Sequence, residues 1–331
     1  MELKDIRAEQ PVSGQYLIIE NQLRTAKNGS HYLALKIGDR TGELPAKIWD
    51  ADEELFRRLE VGKVIAIHNL VPKIYRDQIQ LEWESKNAQV FEMVADQNID
   101  YGNFLPQAPG NTAVYWETIK ETLESIKDRF LKSLLVSFFY DGGFQKQFIL
   151  VPAALKRHHA YLGGLLEHTA GVVVLCKAAA DYYPFINRDL LLTGALLHDV
   201  GKIKTYKIDK GFDGTTEGKL IGHLILGVQM VEAAMARILD ELYPEKEGIP
   251  EGVRLLQNSL LHLLVSHHGI MEWGSPIEPL TVEACVLHHA DNMDAQVTKF
   301  LTVIRGRQPG SEWAAFDPGL NKSIFLGNIN S

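Results

Sequence analysis

Between residues 12 and about 92, apolar and β-branched positions alternate with polar ones in short runs separated by turn signals. This is the period-two pattern of half-buried strands. Residues 12–23, 31–37, 44–49, 62–70 and 74–83 read as five strands. The turns Lys27-Asn28-Gly29-Ser30 and Gly38-Asp39-Arg40-Thr41-Gly42 divide the first three, a short polar helix at 51–59 follows the third, and Pro72 precedes the fifth. Five strands with one helix between the third and fourth predict a five-stranded OB-type barrel.

From residue 111 the period becomes helical. Residues 112–139, 163–183, 188–198, 220–242, 252–266 and 281–304 carry apolar side chains at the spacing of one helix face. The predicted fold is therefore multidomain, β + α: a barrel over 1–92, a linker with glycines and prolines over 93–110, an all-α helical bundle over 111–305, and an irregular tail over 306–331 that packs on the bundle.

Composition narrows the class. At 331 residues and 46% apolar, the chain can bury a sizeable core. It has no apolar run near the ~20 residues of a membrane helix, and its first residues lack a signal-peptide pattern. Cys176 and Cys285 are the two cysteines, too few for a disulfide scaffold, so a cytoplasmic protein is expected. Net charge is −8, and the first 92 residues, with 13 basic and 15 acidic side chains, are acidic as well. A generally basic coat for nucleic acid is absent. A polyanionic partner must be held locally, by a few cations, stacking rings or bound metals. A homo-oligomer is compatible with the sequence.

The chemistry is concentrated. Ten of twelve histidines fall between His158 and His289, and His198 is followed directly by Asp199 in GALLHDVGK. The candidate metal ligands are His168, His198, Asp199, His223, His267, His268 and Asp291, placed on or at the ends of successive predicted helices. Side chains from several helices of a bundle can converge on one interior point. These residues fit one ion or two, and His223 and His267 favour two. Imidazole ligands select Mn, Fe, Co, Ni or Zn over Mg. A carboxylate such as Asp199, shared by two divalent transition-metal ions with a water between them, suits phosphoester hydrolysis.

The pattern His168, His198-Asp199, Asp291 resembles the HD-domain phosphohydrolases, and His223 with the SHHG histidine resembles their binuclear branch. The runs PAALKRHHAYLGGLLEHT (152–169), GALLHDVGK and VSHHG are similar to the YhaM-type bacterial 3′-to-5′ exoribonucleases, which join an OB fold to an HD domain. The resemblance covers nearly the entire chain, including the tail with Trp313, Phe316, Leu320 and Phe325. It implies that His168, His198, Asp199 and Asp291 hold one metal and Asp199, His223 and His267 a second; Mn²⁺ is the expected ion. Either residue of the His267-His268 pair can be the ligand, the other touching substrate or orienting a neighbour. It also implies cleavage of single-stranded RNA, and less selectively DNA, from the 3′ end to release 5′-mononucleotides.

Beyond the ligands, Asp199 and Lys202 are the expected catalytic residues, Lys202 neutralising a phosphate oxygen. Arg157, His158 and His159, upstream of His168, are candidates to line the substrate path. In the barrel, Tyr32, Tyr75 and Lys73 are the expected single-strand contacts, while Trp49 and Trp83 read as core. Lys36, Lys47 and Arg76 are further cations there, with Lys47 on the same face as Trp49 by alternation. Two other functions fit parts of the pattern. An HD-type nucleotide or cyclic-nucleotide phosphohydrolase would need no barrel, and SHHG here is followed by Ile270-Met271-Glu272-Trp273, not Gly-Tyr-Pro. A non-catalytic single-strand-binding accessory protein would not need the complete ligand set.

Overall fold

Alternation in the first part of the chain becomes strands whose inward positions are the apolar ones. The computed structural model describes all residues except 76, 77, 88, 96, 97, 100, 156–158, 209, 210, 245–247, 307–310 and 328–331. The described residues form two compact units, Met1–Gln107 with Ile208–Gly211, and Ala108–Lys207 with Phe212–Ser331.

The first unit contains β1 (Val12–Thr25), β2 (His31–Asp39), β3 (Gly42–Trp49), α1 (Glu53–Arg58), β4 (Val64–Leu70), β5 (Lys73–Tyr75), β6 (Gln78–Glu84) and β7 (Phe91–Met93). They form one sheet in the order β5-β6-β3-β2-β1-β4-β7. The β3–β6 pair is parallel and the others antiparallel. Leu33, Leu35 and Ile37 of β2 and Ala46 and Ile48 of β3 face inward and join Tyr16, Ile18, Ile65, Ile67 and Leu81 in one core. Burial of alternate residues sets this register, because a one-residue slip would turn each apolar side chain out to water.

Two details differ from the five-stranded barrel expected. The sheet has seven strands and is not closed by a ladder. Residues 64–75 pair first with β1 as β4 and then, after Pro72, with β6 as β5. Proline has no N–H to give a ladder, so Pro72 marks the step from β4 to β5. The expected strand at 74–83 is itself two, β5 ending at Tyr75 and β6 beginning at Gln78. Phe91–Met93 adds the seventh strand on β4. The residues read as a linker are also partly core: Phe104 is buried with Leu17 and Val64.

The second unit is helical: α2 (Thr112–Ser125), α3 (Arg129–Phe139), α4 (Gly142–Leu150), α5 (Gly164–Tyr182), α6 (Arg188–Leu197), α7 (Lys202–Thr205), α8 (Thr216–Ile221), α9 (His223–Leu242), α10 (Glu251–Ser266) and α11 (Val282–Arg305). Between α7 and α8 the chain also forms a two-stranded sheet of β8 (Tyr206–Ile208) and β9 (Phe212–Gly214). The run 112–139 is two helices: Asp128 caps α3 through Leu131 N–H, and Asp189 accepts the N–H groups of Lys127 and Asp128. The run 220–242 is also divided, since Gly222, at φ +83°, separates α8 from α9 and makes His223 the first residue of α9. In the tail, Ile324 and Leu326 are buried, and Trp313 bridges to Phe325. Among the described residues no helix is long and apolar enough to cross a membrane.

At the centre lies α6, with every residue from 190 to 197 buried. Leu191, Leu192, Leu196 and Leu197 pack in the core with Leu165, Leu166 and Val173 of α5, Leu263 of α10 and Leu287 of α11. Gly194 permits close approach to α10, where an added Cβ would lie 2.4 Å from Leu263 Cδ2. A helix so enclosed has little freedom to move, and the residues that follow it inherit that rigidity.

Candidate metal centre

The His198-Asp199 pair follows α6 directly. Opposite it, α5 contributes His168 from its second turn, α9 begins with His223, α10 ends at His267 with His268 next, and α11 contributes Asp291. Glycines allow the close approaches. An added Cβ on Gly201 would lie 2.0 Å from the His223 carbonyl oxygen, and Gly269, at φ +85°, turns the chain over the ring of His288. Five elements thus bring their ligand-type side chains to one place.

The carboxylate of Asp199, 3% exposed, lies between two sets of imidazoles. Its Oδ2 is 3.4 Å from His168 Nε2 and 3.3 Å from His198 Nε2. Its Oδ1 is 3.4 Å from His223 Nε2 and 3.7 Å from His267 Nε2. Asp291 Oδ1 is 3.1 Å from His168 Nε2, and His223 and His268 bring their Nε2 atoms to 3.2 Å. Ligand atoms of His168, His198 and Asp291 form one group of metal-binding dimensions; those of His223, His267 and His268 form another, and His198, Asp199 and His267 lie between them.

Hydrogen bonds on the far side of the rings decide which nitrogen faces inward. His198 Nδ1 donates to Ala195 O, His267 Nδ1 to Leu264 O and His268 Nδ1 to Trp273 O, each at 2.8 Å. His168 Nδ1 donates to Asp294 Oδ2 at 2.7 Å. With Nδ1 committed as a donor, Nε2 is the nitrogen of each ring left to face the centre.

These donors fit a bound cation. Asp199 Oδ1 and His267 Nε2 are buried without a hydrogen-bond partner among the described residues. The Nε2 atoms of His168 and His198 face each other at 3.2 Å with both Nδ1 atoms already donating, an arrangement that repels unless a positive charge joins it. Three carboxylates, of Asp199, Asp291 and Asp294, surround the imidazoles, while Lys202 ion-pairs with Asp199 Oδ2. Burial would raise the Asp199 carboxyl, but Lys202 and His198 outweigh it and hold that group well below the usual carboxylate range. Burial pushes His223 down to about 3 and lowers His268, so both stay neutral and able to ligate at neutral pH. The cluster could hold divalent metal, and its nitrogen-rich donor set suits a transition ion.

All seven candidate ligands are therefore brought together: His168, His198, Asp199, His223, His267, His268 and Asp291. Other residues stand differently from expectation. Lys202 is buried against Asp199, and its ammonium is already engaged by that carboxylate. His159 is 2% exposed and does not line an open path; it donates from Nε2 to Asp294 Oδ2 at 2.8 Å, behind His168. Arg157 and His158 lie outside the described residues. Asp294 was missed altogether, although its spacing of three from Asp291 on α11 puts both on one helix face. Tyr161 and Glu167, which continue the network, gave no signal beyond their nearness to His168. His288 donates to the carbonyl of His267 at 2.9 Å, so it supports the turn that carries that ligand.

In the β unit, Tyr32 is paired with Trp49 across β2 and β3, with ring centroids 5.0 Å apart. Lys47 lies 5.9, 5.5 and 4.6 Å from the ring centroids of Tyr32, Trp49 and Tyr75. Trp49, read as core, is half-buried, since it follows Lys47 on the outward face of β3. Trp83 is buried as expected. Lys73 is exposed, with Glu82 at 3.9 Å, and Arg76 lies outside the described residues.

Residues 165–296 match the HD domain family. The 3′-5′ exoribonuclease YhaM of Listeria monocytogenes serotype 4b (strain CLIP80459) is 33% identical over 315 residues, 95% of this chain and 94% of its own. That of Bacillus subtilis (strain 168) is 33% identical over 301 residues, 89% of this chain and 88% of its own. Among solved structures, the OB domain of Ta0387 from Thermoplasma acidophilum is 15% identical, with 30% of this chain and 88% of that one covered and a TM-score of 0.24.

Proposed function

The chain belongs to the YhaM family of 3′-5′ exoribonucleases, and from that premise we propose that it is a metal-dependent enzyme that shortens single-stranded RNA from the 3′ end and releases 5′-mononucleotides. The observation that carries the reading is the carboxylate of Asp199, whose two oxygens face two different sets of imidazoles. That arrangement supports two ions, one held by His168, His198, Asp199 and Asp291, the other by Asp199, His223, His267 and His268. The proposed ion is Mn²⁺, with Fe, Co, Ni or Zn as replacements of the same donor preference.

When bound, such ions supply Lewis acidity to a phosphodiester and lower the pKa of water. The chain's own residues do the rest. The Nδ1 bonds of His168, His198, His267 and His268 hold each ring in its ligating tautomer, so little reorganisation is needed when charge develops. Lys202 keeps Asp199 ionised and is assigned a positioning role through it. Tyr32, Trp49 and Tyr75 are assigned as ring faces for unpaired bases, with Lys47 and Lys73 near the backbone phosphates. Single-stranded DNA offers the same faces and is the expected weaker substrate. A cytoplasmic location completes the reading, consistent with two unpaired cysteines, Cys176 buried and Cys285 exposed.

The test is cleavage of 5′-labelled single-stranded RNA with Mn²⁺, alongside matched DNA, EDTA and Asp199→Ala. A ladder shortening from the 3′ end, abolished by EDTA and in the variant, is the expected result. RNA left intact with Mn²⁺ present, or a variant as fast as the wild type, would overturn the proposal.

A further inference from the structure

His159 stands apart from the ligands but is not an ordinary buried histidine. Its backbone has a φ of +50°, a conformation costly for a residue with a side chain and retained only where its surroundings enforce it. Those surroundings are specific. The His159 carbonyl accepts from Ala153 N–H at 3.1 Å and presses onto the start of α5, where a Cβ on Gly164 would lie 2.0 Å from its oxygen. Nδ1 of the ring meets the Tyr161 hydroxyl at 2.9 Å, and Tyr161 donates in turn to Glu167. Nε2 meets Asp294 Oδ2 at 2.8 Å, and Thr298 Oγ1 at 3.2 Å.

Asp294 Oδ2 is thus shared by two imidazoles, His159 behind it and His168 in front. Its other oxygen occupies a notch in α5. Gly171 is in the interior of that helix, where glycine is a poor choice, and an added Cβ would lie 2.3 Å from Asp294 Oδ1. Three separate features therefore converge on one carboxylate: a left-handed histidine, a mid-helix glycine and a hydrogen bond to a ligand's far nitrogen.

We infer that His159 and Asp294 are a positioning pair that sets the orientation and donor strength of His168, with Gly171 keeping the space Asp294 needs. The inference rests on the metal-centre reading above but not on the identity of the substrate. A carboxylate on the remote nitrogen of a ligating histidine fixes its tautomer and raises its basicity, and loss of such a partner weakens metal binding by about 10–100-fold.

The experiment is titration of the full-length, metal-free protein with Mn²⁺, read from the free-ion electron paramagnetic resonance signal in the absence of RNA. Asp294→Asn should bind one ion about 10–100-fold more weakly. His159→Gln and Gly171→Ala, neither altering a ligand, should weaken the same ion by smaller factors. Combining His159→Gln with Asp294→Asn should add little beyond Asp294→Asn alone, because the first acts through the second. If Asp294→Asn fails to fold, the other two single variants decide. Affinities within about twofold of wild type in folded variants would overturn the inference. So would losses that simply add, since a merely structural role would lower thermal stability without coupling through Asp294. Because no RNA is present, failure of the exonuclease reading leaves this result intact and separately interpretable.

Discussion

The two units present their functional side chains in opposite ways. In the helical unit the candidate ligands His168, His198, Asp199 and His267 are buried and His223, His268 and Asp291 half-buried, and four of the imidazoles are held from behind by a carbonyl or a carboxylate. On the β unit, Tyr75 is 49% exposed, and Tyr32 and Trp49 are half-buried rings around one lysine. The contrast matches the role proposed for each. Bond cleavage requires donors placed to a fraction of an ångström, and burial among packed helices supplies that precision. Holding a strand irrespective of sequence requires only ring faces and a few charges, which tolerate motion and water.

Substitutions can break this contrast at known points. The largest effect on stability is expected for Lys202→Met, which leaves Asp199 buried without its cation. In metal-free protein it should cost about 3–5 kcal/mol, measured by chemical unfolding. Saturating Mn²⁺ should recover much of the loss, since bound ions compensate the same carboxylate. An equal loss with and without metal would show that Asp199 is not the shared ligand.

Gly201→Ala comes next. Its Cβ would overlap the His223 carbonyl, which belongs to the backbone and cannot rotate away. A cost of about 1–3 kcal/mol is expected, together with weaker binding of the ion near His223 and unchanged binding near Asp291. If metal binding is untouched, the approach of the turn to α9 does not place His223.

On the β unit, Tyr75→Ala and Trp49→Ala should each weaken single-stranded RNA binding by about 1–3 kcal/mol. The effect should appear in KM for long RNA and leave kcat for a dinucleotide unaltered. A fall in kcat with unchanged KM would remove the aromatic face from the binding role.

The smallest effect concerns pH. Burial would raise the Glu167 carboxyl, yet hydrogen bonds from His159, Tyr161 and Tyr115 outweigh it and lower that group from its usual value near 4.5. The unfolded chain then binds the proton more readily, so this contribution to stability is present above pH 4.5 and lost as pH falls through the lowered value. Glu167→Gln should flatten the acid limb of the unfolding midpoint against pH. An identical slope in both proteins would show that Glu167 does not carry it.

Much of this was legible in the chain. Period-two and helical patterns located the β and α halves because each element buries one face, and burial writes itself as periodicity. The seven candidate ligands that the structure brings together could be named from the chain, since His-Asp adjacency and clustered histidines are unusual in a sequence. The misses have physical causes. Gly222 interrupts a run whose apolar spacing continues across it, and Phe91–Met93 is a strand of three residues, too short to show a period, so helix and strand counts came out low. Trp49 was read as core from its type, although its register with Lys47 already turned it outward. His159 was placed near substrate because it neighbours His158 in sequence, whereas its left-handed φ turns it back beneath α5.

Sequence by itself determined which residues could bind metal and which half of the chain would carry them, because residue chemistry and periodicity are local properties. Only the tertiary structure decided that Asp199 would face two imidazole sets, that Nε2 rather than Nδ1 would point inward, and that Asp294 would tie His159 to His168. The last of these depends on groups 126 and 135 residues apart meeting on one oxygen. Contacts of that kind are set by the packing of α5 against α11, and no local pattern encodes them.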